Sequence, residues 1–252
     1  MKDITIALLV KQKAAILPSW LEMIEALDYP KERINLFVRT NNNTDNTTAI
    51  LRQWVSKVQG AYRQIHFDDS DASVEVEKYG VHEWNAQRFA LLAAIRDSSI
   101  AWARGVDSDY FVVDCDNYLV PDTLRRLQAW NVPVVAPLLH CVDPEQPGYS
   151  NYHSLITPTG YYVEHENYYN FLAGRIRGCI EMPVVHCTYY IKGEYLPQIS
   201  YHDGSEDYEY VIFSRNLRAK GIPQYLDNTK LYGYLTLREY GNLAFDRTKK
   251  LS

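Results

Sequence analysis

An uninterrupted apolar run at residues 110–113 ends in the tripeptide Asp114-Cys115-Asp116. Such a run is typical of a strand that is buried on both faces, as the strands of parallel sheets are. Ligands of open parallel sheets bind beyond the carboxyl ends of the strands, where the two aspartates would lie. Because buried carboxylates are costly unless they are paired or bound to metal, the tripeptide predicts a site for Mn²⁺ or Mg²⁺. The alternative is a solvated aspartate pair in a loop or at a helix N-terminus.

The first half of the chain alternates apolar runs with segments whose apolar residues recur at helical spacing. The predicted strands span residues 4–10, 34–38, 62–67, 110–113 and 132–136. The predicted helices begin at Pro18, after Thr44 or Asp45, at Asn85 and at Pro121. This order predicts an α/β fold with a mostly parallel central sheet and helices on both faces.

The second half is less regular. The predicted loops are residues 68–79, 144–152 and 161–170. A strand is expected at 184–191, a helix at 205–220 that ends at Gly221, and a strand at 222–226.

Charge and composition exclude several partners. The net charge of −5 disfavours nucleic acid and anionic membranes as partners. The apolar stretch near the N-terminus is too short to span a membrane and no cleavage site follows it, so we expect a cytoplasmic protein. The four cysteines lack zinc-type spacing and are expected to be reduced.

A second acidic motif, Glu206-Asp207, precedes the predicted helix at 205–220. Taken alone, this motif favours a structural role over catalysis, because the helix dipole favours anions there and Ser205 or Asp207 can cap the helix. Together with the first motif it indicates a transferase site. One pair would hold a metal and a diphosphate, and the other would deprotonate an acceptor hydroxyl.

Several segments resemble one known family. They are LDYPKERI at 27–34, NTDNTTAILR at 43–52, TPTG at 157–160, PVVH at 183–186 and YGYL at 232–235. In this order they resemble the N-terminal glycosyltransferase domain of the procollagen galactosyltransferases, and more distantly that of the lysyl hydroxylases. The resemblance implies a GT-A fold, a UDP-sugar donor and an inverting transfer to a hydroxyl. The sequence shows no repeats, low-complexity tract or long linker, and therefore predicts a single domain over 1–252, with a nucleotide-sugar half at 1–120 and an acceptor half at 121–252.

The resemblance also assigns roles to residues. Asp114 and Asp116 match the metal motif, and Asp114 also lies where the ribose would bind. Asp207, with Glu206 beside it, matches the catalytic base. The residues that match the nucleotide-sugar site are Lys11, Thr40, Asn43, Asp45, Trp84, Arg88 and Asp114.

One position departs from the family pattern. Relatives carry a histidine before the YGYL segment, suited to be a third metal ligand, and this chain has Leu231 there. Either the two aspartates and the diphosphate hold the metal alone, or His186 or His202 replaces the missing ligand.

The sequence therefore predicts a metal-dependent inverting glycosyltransferase that uses UDP-glucose or UDP-galactose. The acceptor implied by the resemblance is hydroxylysine or galactosyl-hydroxylysine of a collagen-like protein, and another glycan is the alternative. Two other functions are compatible with parts of the sequence. Leu231 favours a non-catalytic binding domain with a degenerate glycosyltransferase fold. A nucleotidyltransferase ranks last, because no Gly-rich basic loop follows the first strand.

Overall fold

A computed structural model describes residues 2–72, 85–238 and 240–251. Trp84 and residues 73–79 of the predicted acidic loop lie outside the described residues. The strands are β1 (Ile4–Leu9), β2 (Ile34–Arg39), β3 (Gln64–Asp68), β4 (Asp109–Val113), β5 (Asn117–Leu119), β6 (Val134–Pro137), β7 (Leu139–Cys141), β8 (Tyr152–His153), β9 (Cys179–Met182), β10 (Val184–Val185), β11 (Thr188–Ile191), β12 (Gln224–Asp227) and β13 (Gly233–Leu235). The helices are α1 (Leu17–Glu25), α2 (Thr47–Val58), α3 (Ala86–Gly105), α4 (Thr123–Ala129), α5 (Glu166–Leu172), α6 (Glu209–Ala219) and α7 (Gly241–Lys249).

The central sheet has eight strands in the order β3-β2-β1-β4-β11-β6-β12-β9. Four neighbouring pairs are parallel: β1 with β2, β1 with β4, β2 with β3, and β6 with β12. The pairs β4–β11, β6–β11 and β9–β12 are antiparallel. The prediction of a mostly parallel sheet is confirmed. Because β1, β2 and β4 run the same way, the loops that follow them meet at one edge.

Helices cover both faces of this sheet, as predicted. Side chains of α1, α2, α4 and α7 join one apolar cluster, and side chains of α3, α5 and α6 join the other. Strand β4 contributes side chains to both clusters. Phe111 and Val113 belong to the first, and Tyr110 and Val112 belong to the second. Side chains alternate along a strand, so a strand with two buried faces needs an apolar residue at every position. This explains the uninterrupted run at residues 110–113.

Three predictions in the second half are wrong in detail. The strand expected at 184–191 is interrupted between β10 and β11, where Cys187 has a positive φ of 64°. The helix expected from residue 205 begins at Glu209, because Asp203 and Ser205 form a turn in which Ser205 N donates to Asp203 Oδ1 at 3.0 Å. The segment expected to be a loop at 161–170 contains most of α5.

A small sheet of β5, β13 and β7 supports the segment that follows Asp116. Thr236 N, just after β13, donates to Asp116 O at 3.1 Å. Gly233 lets β13 approach β5 closely: it has a φ of 156°, and a Cβ atom there would lie 1.8 Å from Tyr118 O. Among residues 2–72, 85–238 and 240–251, no helix is long and apolar enough to cross a membrane.

Candidate functional site

The loops after β1 and β2 are joined by hydrogen bonds at the carboxyl edge of the sheet. Gln12 N donates to Asn43 Oδ1 at 2.8 Å, and Ala14 N donates to Asp45 Oδ2 at 3.0 Å. Asn43 Nδ2 donates to Thr40 Oγ1 at 2.5 Å. The structure thus places Thr40, Asn43 and Asp45 in one hydrogen-bonded pair of loops. In the structure their polar atoms also fix the two loops to each other.

Asp114 and Asp116 follow β4 at this same edge, and each is paired with a different cation. Arg96 Nη2 lies 3.0 Å from Asp114 Oδ1, and Lys13 Nζ lies 3.1 Å from Asp116 Oδ2. Both aspartate side chains keep 28% of their surface exposed. Their carboxylates are therefore anchored on one side and reachable from outside, as ligand-binding groups must be.

Burial governs the charge of Asp114. It raises the pKa of this carboxyl to about 6; Arg96 opposes the rise, while Asp116 and Glu209 add to it. A further cation at this position would favour the ionised form. The electrostatic setting of Asp114 therefore suits a carboxylate that binds a positively charged group.

Arg96 connects the first acidic motif to α6. It is 4% exposed, and its Nε lies 3.4 Å from Oε1 of Glu209, the first residue of α6. Its Nη1 has no hydrogen-bond acceptor within the part of the chain that the structure describes. Sequence reasoning missed this arginine, although Ala93, Arg96, Ile100 and Ala103 recur at helical spacing and share the buried face of α3. The guanidinium links the aspartate pair to the beginning of the helix that follows Asp207.

Asp207 is held ionised, two residues before α6. Tyr161 Oη donates to its Oδ1 at 2.6 Å, and Arg215 Nη1 donates to its Oδ2 at 2.8 Å. Tyr161, and then Arg215, lower the pKa of this carboxyl below its usual range. A carboxylate has about four acceptor positions, so two donors leave room for a substrate hydroxyl. The neighbouring Glu206 is exposed.

Aromatic rings cluster next to Tyr161, whose hydroxyl donates to Asp207. The Tyr161 ring meets the Tyr208 ring edge to face at 5.9 Å between centroids, and Tyr208 also contacts Phe89 of α3 at 4.5 Å. Tyr210 stacks on Tyr208 at 5.6 Å. The carboxylate therefore stands beside a wall of aromatic side chains that combines apolar faces with hydroxyl groups.

Arg88 acts electrostatically on Lys11, which lies two residues after β1. Burial lowers the pKa of Lys11, Arg88 lowers it further, and Asp71 opposes both. Arg88 is in the first turn of α3, where its backbone N donates to Asn85 Oδ1 at 2.9 Å. Two neighbouring cations repel, and a bound anion would relieve that repulsion. The role of Lys11 and Arg88 in binding a diphosphate stays a prediction.

Within the described residues, each candidate histidine pairs with a side chain other than Asp114 and Asp116. His186 is buried, its Nδ1 lies 2.9 Å from Cys187 Sγ, and burial lowers its pKa well below the usual value. His202 Nδ1 lies 2.8 Å from Asp97 Oδ2. Leu231 packs on an apolar cluster.

The donor atoms fit a hard divalent ion only in part. No group of three His, Cys, Asp or Glu side chains suited to a metal occurs within residues 2–72, 85–238 and 240–251. Asp114 and Asp116 supply carboxylate oxygens, which Mn²⁺ and Mg²⁺ prefer. A metal here would take its remaining ligands from a bound diphosphate or from water.

The fold and the paired acidic motifs define the class of GT-A glycosyltransferase folds. A solved structure with this architecture is that of S. aureus TarS residues 1–349 in complex with UDP-GlcNAc. It matches with a TM-score of 0.59 and 16% identity, over 94% of this chain and 59% of that chain.

The chain belongs to glycosyltransferase family 25, because residues 1–246 match the model of that family's N-terminal domain. Procollagen galactosyltransferase 2 of Homo sapiens is 35% identical over 248 residues, which is 93% of this chain and 38% of that protein. The inactive glycosyltransferase 25 family member 3 of Homo sapiens is 30% identical over 244 residues, which is 93% of this chain and 40% of that protein. The predicted resemblance to procollagen galactosyltransferases is confirmed. This chain spans well under half of the length of these curated relatives.

Proposed function

We propose that this chain is a metal-dependent inverting glycosyltransferase that moves a hexose from a UDP-sugar to an acceptor hydroxyl. One observation carries the proposal. Arg96 pairs both with Asp114 of the partly exposed aspartate pair and with Glu209, which lies two residues after Asp207, whose carboxyl has a lowered pKa. Membership of family 25 supports the same chemistry.

The donor half would be built from residues at the carboxyl edge of the sheet. Thr40, Asn43 and Asp45 offer polar atoms for the nucleoside, and Lys11 and Arg88 offer positive charge for the diphosphate. The hexose would be glucose or galactose, and the name of the human relative favours galactose. When bound at Asp114 and Asp116, Mn²⁺ or Mg²⁺ would neutralise charge on the UDP leaving group.

Asp207 would act on the acceptor. An ionised carboxylate can take the proton of a hydroxyl as its oxygen attacks the anomeric carbon. The bond to the new oxygen forms as the bond to the diphosphate oxygen breaks on the opposite face, so the configuration inverts. Tyr161 and Arg215 hold Asp207 in place and keep it unprotonated before the reaction.

The acceptor we propose is hydroxylysine or galactosyl-hydroxylysine of a collagen-like protein. The support is the similarity to procollagen galactosyltransferase 2. The aromatic wall beside Asp207 agrees with it, because ring faces pack on the methylene stem of such a side chain or on a sugar.

Two observations favour a second candidate, a binding domain without transfer activity. Lys13 forms an ion pair with Asp116, the carboxylate that a metal would need. One similar human protein is named inactive. Such a domain would bind UDP and release none from a UDP-sugar.

The test is a UDP-release assay with a panel of UDP-sugars, with and without Mn²⁺. A collagen-like peptide that contains hydroxylysine serves as acceptor. We expect UDP release that needs the acceptor and Mn²⁺, is largest with one UDP-hexose, and is lost in Asp207→Asn. UDP binding without release from any sugar would favour the binding domain.

A further inference from the structure

Lys13 is the cation that the structure places against Asp116. The two side chains are 24% and 28% exposed, and Nζ lies 3.1 Å from Oδ2. The backbone of Lys13 is fixed as well, because Lys13 N donates to Thr47 Oγ1 at 2.9 Å. The ammonium is thus held beside Asp116 by an anchored loop.

A divalent ion would have to share Asp116 with this ammonium. Two positive charges on one carboxylate repel each other, and partial burial strengthens that repulsion. In the described part of the chain no third metal-ligating side chain joins the pair to offset the repulsion.

We propose that Lys13 is a tethered cation of the donor site. Its ammonium pairs with the Asp116 carboxylate when no nucleotide is bound. The ammonium moves to the diphosphate oxygens when a nucleoside diphosphate binds. Charge-assisted contacts to phosphate are strong enough to compensate for the lost ion pair. The inference rests on the proposed function, because it takes a nucleoside diphosphate as the ligand.

The test compares wild type with Lys13→Met by two calorimetric titrations. Without nucleotide, Lys13→Met should bind Mn²⁺ about tenfold more tightly, because the competing ammonium is gone. In EDTA, Lys13→Met should bind UDP about tenfold more weakly, because the diphosphate has lost a cation. Lys13→Arg keeps the positive charge and should bind Mn²⁺ as weakly as wild type.

Lys57→Met is the matched control, since Lys57 Nζ also lies 3.1 Å from a carboxylate oxygen, Oε1 of Glu25, on the outer side of α2. Both of its affinities should equal those of wild type. If Lys13→Met binds Mn²⁺ no more tightly than wild type, Lys13 does not compete with the metal for Asp116. If its UDP affinity in EDTA is unchanged, Lys13 does not contact the diphosphate. If no variant binds UDP under any condition, the proposed function fails, and the Mn²⁺ titration still decides whether Lys13 occupies Asp116.

Discussion

Replacing Arg96 by methionine should destabilise the protein strongly. Arg96 lies between Asp114 and Glu209, at 3.0 Å and 3.4 Å. Glu209 is 6% exposed, so it would remain buried without its cation. Removing one partner of a buried ion pair typically costs about 3–5 kcal/mol. At about 2 °C per kcal/mol for a chain of this size, the melting temperature should fall by roughly 6–10 °C.

The stability that Arg96→Met loses should be larger at high pH than at low pH. Arg96 holds down the pKa of Asp114, which is nevertheless raised to about 6, so Arg96→Met should raise it further. A folded-state pKa above the unfolded value means that the folded state binds the extra proton. The variant therefore gains stability as pH falls through the raised pKa, and its deficit should be larger at pH 8 than at pH 5.

Urea unfolding in EDTA, monitored by circular dichroism, measures the difference in the free energy of unfolding between wild type and Arg96→Met. Arg52→Met is the control, because Arg52 pairs with Asp69 at 2.5 Å while its side chain is 66% exposed. An exposed pair contributes less than about 1 kcal/mol. If Arg96→Met loses no more stability than Arg52→Met, or loses more at pH 5 than at pH 8, the assignment of Arg96 as the buried link is wrong.

Three further substitutions test other parts of the site. Asp116→Ala should abolish Mn²⁺-dependent UDP binding and leave the melting temperature nearly unchanged, and unaltered affinity for UDP with Mn²⁺ in calorimetry would refute the metal assignment. Tyr161→Phe removes the largest cause of the low pKa of Asp207, so the acid limb of the transfer-rate profile should move to higher pH, and an unmoved limb would contradict the role of Tyr161. Gly233→Ala should lower the stability by at least about 2 kcal/mol, because a new Cβ would meet Tyr118 O, and thermal unfolding at wild-type temperature would contradict that packing.

Patterns confined to one element were predicted well from the sequence. The apolar residues of β4 alternate between two clusters, so their continuous run signals a strand with two buried faces. Helix α3 is predicted to begin at Asn85, and it begins at Ala86 with Asn85 as its N-cap. Such patterns are readable because burial of a face repeats with the period of the helix or the strand.

Contacts between distant segments could not be predicted in this way. Tyr161 and Asp207 are 46 positions apart in the sequence, and no local pattern indicates that they meet. Lys13 follows β1 and Asp116 follows β4, so their ion pair depends on the order of strands in the sheet. The break at Cys187 depends on a positive φ that a non-glycine residue adopts only when tertiary contacts enforce it.

The proposal that this chain is a glycosyltransferase with Asp207 as its base is tested most directly by single-turnover transfer in Asp207→Asn, measured beside UDP affinity. The substitution keeps the shape of the side chain and removes its capacity to take a proton. Transfer from the UDP-hexose to the hydroxylysine peptide should fall by roughly two to four orders of magnitude, with UDP affinity unchanged. Full transfer in Asp207→Asn would contradict the assignment of the base, and loss of UDP binding together with transfer would place Asp207 in the donor site instead.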